Sequence, residues 1–322
     1  MTRLLRWARP ALAAAVIVAV VWRLGTGPLL DGVRGLDARA LVAATAIFFV
    51  TTTCCACRWK IVARGLGVRL SLPSAVAAYY RCLFLNLTLP SGIAGDIHRG
   101  VTHGRAVHDV GRGMRGVVWE RTGGQVVQVV LTIAVLFVLP SPVRSWMPLV
   151  AAALLATAVV VVLVDRVQAR RGSSRWERAR NDVAADIRGA LLHKNAMPAV
   201  ALTTTVAVVG YAVMFLIAAR TAGVTAPVSR LLPLALLGML AIVLPSIGGW
   251  GPREGATAWM FSAAGLGAGR GAATAVAYGV MVLAASLPGG LVLVLGLLPR
   301  RRASRAQAHK GSIFRPEGAA DA

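Results

Sequence analysis

The sequence predicts an all-α integral membrane protein of six to eight transmembrane helices, in which two Pro/Gly-broken segments are related as an inverted repeat. Three observations carry this. Hydrophobic residues fill 57% of 322 positions and charged residues only 15%, which is more apolar surface than one soluble core could hide. The basic residues behind the formal net charge of +23 gather between apolar runs, as they do in cytoplasmic loops. Two of the runs end alike, in LPSGIAGDIHRG (Leu89 to Gly100) and LPSIGGWGPREG (Leu244 to Gly255).

In order, the runs occupy roughly 10–22, 40–57, 74–90, 122–139, 147–164, 197–219, 231–247 and 272–298, with a shorter one near 256–268. The first follows Arg3, Arg6 and Arg9 and has no small-x-small cleavage site after it, so it reads as an uncleaved span with its basic end inside. RWKIVARGLGVRL (Arg58 to Leu70) is basic and reads as a cytoplasmic connection. The loop Asp165 to Lys194, with eight Lys/Arg, and the tail RRRASRAQAHK belong on the same side.

Segment 74–90 then breaks the parity, because the stretch after it carries Arg99, Arg105, Arg112 and Arg115. A segment that enters and returns on one side restores the count. It is short for a span, contains Arg81 and Asn86, and ends in Pro-Ser-Gly. Segment 231–255 returns in the same way from the other face, which leaves six full spans and both termini cytoplasmic. If both are ordinary spans instead, the helices number eight or nine. The chain reads as one polytopic domain, 1–298. It divides into halves 1–164 and 197–298 around the cytoplasmic basic loop 165–196, with a disordered basic tail at 299–322.

A backbone break at membrane depth needs protein or a wet cavity to receive its loose polar groups. The helix that restarts after it points N–H groups and a positive dipole end inward, where an anion such as phosphate fits. Pro252 suits the first turn of such a helix, and Glu254 can accept from its donors. Asp96 and Arg99 flank the first break, Arg253 and Glu254 the second, and VVWERTGGQVVQ sets Glu120 and Arg121 at the start of the following span. Arg253 stands out, because it falls on the side poor in charge.

Other chemistries find little support. Cys54, Cys55, Cys57 and Cys82 lie in apolar segments and read as packing residues. His98, His103 and His108 recur every five residues, which scatters them around a helix axis and argues against a metal. GLGAGRGAA (Gly265 to Ala273) lacks the Gly-Lys-Ser/Thr of a phosphate loop. ASLPGGLVLV reads as a kink in the last span. With no hydrolase or metalloenzyme constellation, we expect no catalytic residues, no metal and no cofactor, a protein that is not an enzyme, and no nucleic acid partner.

FLNLTLPSGIAGDIHRG, VVWERTGG and LPSIGGWGPREGA together resemble the lysylphosphatidylglycerol synthase transmembrane-region family. These are bacterial inner-membrane proteins that include the membrane half of multiple-peptide-resistance factors. The resemblance covers roughly residues 10 to 298 and implies a helical domain, in the bacterial cytoplasmic membrane, associated with moving lipids between leaflets. Its patterns fall on Asn86, Pro90 and Gly92; on Gly95, Asp96 and Arg99; on Glu120 and Arg121; and on Gly249, Arg253, Glu254 and Gly255. Pro252 stands where the family often has an aliphatic residue. Full synthases also carry a soluble aminoacyl-transferase domain, and no counterpart of it is expected here.

The expectation is therefore a lipid flippase or transporter for a phospholipid or a polyprenyl-phosphate glycolipid. Ser91, Gly92, Arg99, Arg121 and Arg253 would bind the phosphate, and Asp96, Glu120 and Glu254 would position the arginines or exchange protons. Asn86, Ser246 and Gly249 complete the headgroup site. The alternative is a membrane scaffold or accessory subunit of an envelope-biosynthesis complex. The protein partner would be a second copy or a member of that complex.

Overall fold

The computed structural model describes residues 30, 33–89, 92–139, 163, 166–167, 174–193, 195–240 and 251–297. The run expected at 10–22, all but residue 163 of that at 147–164, residues Pro90, Ser91, Ser246 and Gly249, and the tail from 299 lie outside them. Among the described residues there are nine α-helices and no strand.

Four of these nine are long and apolar enough to cross a membrane: α1 (Ala38–Gly65), α4 (Val110–Val138), α6 (Ala196–Thr221) and α9 (Ala268–Leu297). At about 1.5 Å per residue each exceeds the ~30 Å of a hydrocarbon core. Between α1 and α4 lie the shorter α2 (Leu72–Thr88) and α3 (Ala94–Ala106). Between α6 and α9 lie α7 (Val228–Leu240) and α8 (Pro252–Ala263). The order long, short, short, long is thus met twice, with 28, 17, 13 and 29 residues and then 26, 13, 12 and 30. The basic loop between the halves carries α5 (Ser174–Ala190).

Local chemistry sets several of these bounds. Asp37 caps α1 by accepting from the Ala40 N–H at 2.8 Å, and Asp109 caps α4 by accepting from Arg112 at 2.8 Å. The α4 cap corrects the expectation of a span beginning near 122. The helix starts at Val110, so Glu120 and Arg121 lie well inside it. Likewise Arg58, read from the sequence as part of a cytoplasmic connection, lies inside α1 and is buried.

Small residues bring the helices into backbone contact, the usual device where lipid removes any hydrophobic drive between helices. A Cβ at Gly95 of α3 would stand 2.0 Å from the Cys82 carbonyl oxygen of α2, and one at Gly113 of α4 would stand 2.6 Å from Gly104 of α3. Gly289 of α9 meets the Tyr80 backbone of α2 in the same way, and Gly65 of α1 meets Gly189 of α5. An apolar core of Phe48, Phe215, Leu231, Leu234, Phe261 and Met281 joins α1, α6, α7, α8 and α9. A second cluster, around Trp59 and Tyr79, packs α1 on α2 and underlies the charged residues.

Candidate functional site

Five charged side chains from three helices form one network. Glu120 of α4 is fully buried. Its Oε1 accepts from Arg58 Nε at 2.8 Å, Arg58 Nη2 at 2.5 Å and Tyr79 Oη at 2.8 Å. Its Oε2 accepts from Arg99 Nη2 at 2.8 Å. The same Arg99 nitrogen donates to Asp96 Oδ1 at 2.9 Å, and Arg121 clamps Asp96 with two bonds of 3.0 and 2.8 Å. Arg58 Nη1 donates to Thr204 Oγ1 of α6 at 3.1 Å.

The Arg99 guanidinium lies between two aromatic rings, 4.7 Å from the Trp59 centroid and 4.3 Å from that of Tyr79, which favours a cation away from water. Asn86 ties α2 to the start of α3: its Nδ2 donates to Asp96 Oδ2 at 3.0 Å, and its Oδ1 accepts from the Gly95 N–H at 2.8 Å. Burial would raise the Asp96 carboxyl, but the Arg121 and Arg99 guanidiniums outweigh it and hold it down to about 2. Arg99 and Glu120 are shut away, whereas the Arg121 side chain is 45% exposed. The network therefore has a closed end and an open end.

A second, smaller arrangement sits at the start of α8. Gly251 has φ of 106°, a backbone state that side chains resist. Pro252 follows in the first turn, and the Gly251 N–H donates to Glu254 Oε2 at 2.6 Å. Arg253 donates to Glu254 Oε1 through Nε at 3.0 Å and Nη2 at 2.6 Å. Its guanidinium lies 5.3 Å from the Tyr278 ring centroid. The space beside it, walled by Phe215, Ala235, Gly238 and Met239, is about 10 Å³, which holds about one water molecule. Both sites thus pair an arginine with a carboxylate and set it over a tyrosine, and in both the carboxylate is the third residue of a short helix.

The family model described as the lysylphosphatidylglycerol synthase TM region matches residues 6–296, nearly the whole chain. The chain belongs to that family. No curated protein matches it. Membership in the synthase TM region family agrees with the all-helical architecture and its four long apolar helices.

Of the residues named from the sequence, Asn86, Asp96, Arg99, Glu120 and Arg121 meet in the first network. Gly92, with φ of 67°, stands two residues before α3, which carries Asp96 and Arg99. Arg253 and Glu254 form the second pair. Ser91, Ser246 and Gly249 lie outside the described residues. Arg58, Tyr79, Trp59 and Thr204 were not named as site residues, yet each touches the network. The signal for Arg58 was present: Phe48, Thr51, Cys55, Arg58 and Val62 recur at helical spacing and are all buried. Extending the apolar stripe past residue 57 places an arginine on it, and such an arginine needs a buried partner.

Proposed function

We propose that the protein carries a phosphate-bearing lipid headgroup between the leaflets of the membrane. The network at α2–α4 would be one headgroup station and the Arg253–Glu254 pair the other. The observation that carries this reading is the first network's asymmetry. Arginine's planar fork suits phosphate, and Arg121 is half exposed while held by a carboxylate that a phosphate could replace. The repeated order of long and short helices supports two related halves, with the short pairs as opposed re-entrant segments. Under this reading the protein resides in the bacterial cytoplasmic membrane with both termini in the cytoplasm.

The test is translocation of fluorescent phosphatidylglycerol in vesicles reconstituted with the purified chain. Arg121→Ala and Arg253→Ala should each slow transfer at least about tenfold, the scale of one lost charge-assisted contact. Wild-type rates in both variants would defeat the assignment. One observation favours the accessory-subunit reading: the space beside Arg253 is far smaller than a headgroup. That reading expects the purified chain to move no lipid and a pull-down to recover a fixed partner.

A further inference from the structure

Asp96, Arg99, Glu120 and Arg121 cancel as two cations and two anions, so these four offer a phosphate no surplus of positive charge. Arg58, from an earlier helix, adds a third cation against the same two carboxylates. Its side chain is buried, and both its ionic bonds go to one atom, Glu120 Oε1. We propose that Arg58 is the positioning residue that makes this network an anion site, by holding Glu120 in place so that Arg99 can turn to a lipid phosphate. The inference rests on the headgroup reading above.

The geometry carries the argument. Arginine and carboxylate usually meet by two parallel bonds, but Arg99 reaches Glu120 through Nη2 alone, because Arg58 and Tyr79 occupy Oε1. Arg99 Nε and Nη1 are buried without a hydrogen-bond partner, a costly state that an incoming oxygen would relieve. Asp96 is the other acceptor on Arg99 and also the ligand of half-exposed Arg121. A phosphate that displaces Asp96 therefore meets both arginines at once. Glu120 cannot follow and neutralise them, since three donors anchor it from the far side. Gly124 permits this, as a Cβ there would stand 2.7 Å from Arg58 Cζ.

The test compares wild type with Arg58→Met, Arg58→Lys and Arg58→Met/Glu120→Gln, measuring three quantities on each. These are binding of dihexanoyl-phosphatidylglycerol in detergent, translocation in vesicles, and thermal stability. Arg58→Met should bind about tenfold more weakly, because Glu120 is then free to satisfy Arg99. The double variant, which regains the surplus positive charge, should recover most of that loss, and Arg58→Lys should fall between it and wild type. A purely structural Arg58 gives a different pattern, in which stability returns in the double variant while binding stays as weak as in Arg58→Met.

That pattern, or wild-type binding in Arg58→Met, overturns the inference. If Arg58→Met does not fold, Glu120→Gln decides: it should bind more tightly than wild type, and weaker binding in a folded Glu120→Gln protein overturns the inference too. A wild type that binds the lipid without moving it sinks the translocation reading alone and leaves Arg58 to be judged on binding. A wild type that binds nothing sinks both.

Discussion

An added Cβ at Gly124 would meet Arg58 at Cζ, Nη1 and Nη2, all within 3.0 Å, so the glycine is a counterpart of the arginine. Gly124→Ala should push the guanidinium off Glu120 and lower stability by about 1–3 kcal/mol, as overpacking does elsewhere. Thermal unfolding in detergent would show it, and the loss should shrink by at least about 0.5 kcal/mol in an Arg58→Lys background if the two positions are coupled. Asp96 gives a second test. Its folded value is lowered to about 2 from an ordinary 3.8, so its ionic contribution, about 2 kcal/mol, is complete above about pH 4 and is lost as pH falls through 2. The stability gap between wild type and Asp96→Asn should narrow over that window and stay constant from pH 5 to 8. At this scale the sequence was only half legible. Asp96, Arg99, Glu120 and Arg121 stood out because they sit beside breaks in an apolar chain. Arg58 and Tyr79 did not, because a basic residue past the end of an apolar run looks like a topology signal until its partner from another helix is known.

The helices meet through glycine, and this makes element packing testable by single methyl groups. A Cβ at Gly289 would stand 2.1 Å from the Tyr80 carbonyl oxygen, and a backbone atom cannot step aside as a flexible side chain can. Gly289→Ala should force α2 and α9 apart and cost roughly 1–3 kcal/mol. Gly111→Ala, at an open position early in α4 where the nearest atom is the Asp109 carboxylate at 3.4 Å, should be neutral or stabilise by up to about 1 kcal/mol through helix propensity. Equal losses at both positions would mean that the close contact does not govern stability. The long apolar helices were readable from hydropathy alone, since a run that must cross lipid can hardly be anything else. Their polar extensions were not. Residues 110–121 of α4 are helical because Asp109 caps them and because Gly100, Gly104 and Gly113 let α3 lie against them. Helix α5, hidden in a basic loop, docks through Asp186, which accepts from Trp119 Nε1 at 3.0 Å and pairs with Arg115 at 3.4 Å. These are tertiary causes, and periodicity does not encode them.

For the whole molecule the question is whether the two halves face opposite ways. The short pairs α2–α3 and α7–α8 are alike in length and in their chemistry, an arginine held by the carboxylate at the third helix position and stacked on a tyrosine. A direct repeat would put both arginine sites near one membrane face, and a lipid could then be captured but not handed across. An inverted repeat puts them near opposite faces, which translocation requires. The discriminating measurement replaces the four native cysteines and introduces Cys at Ser91 or Ser246, one in each Leu-Pro-Ser motif. Each variant is then labelled with a membrane-impermeant thiol reagent in intact cells and in inverted vesicles. The inverted arrangement expects Ser91→Cys to react only in inverted vesicles and Ser246→Cys only in intact cells. Reaction of both from the same side would make the repeat direct and leave the two arginine sites unable to serve a single headgroup path. The Arg58–Glu120 network would then have to be understood as a binding site on one leaflet, which is the geometry an accessory subunit would use to hold a lipid-linked substrate for another protein.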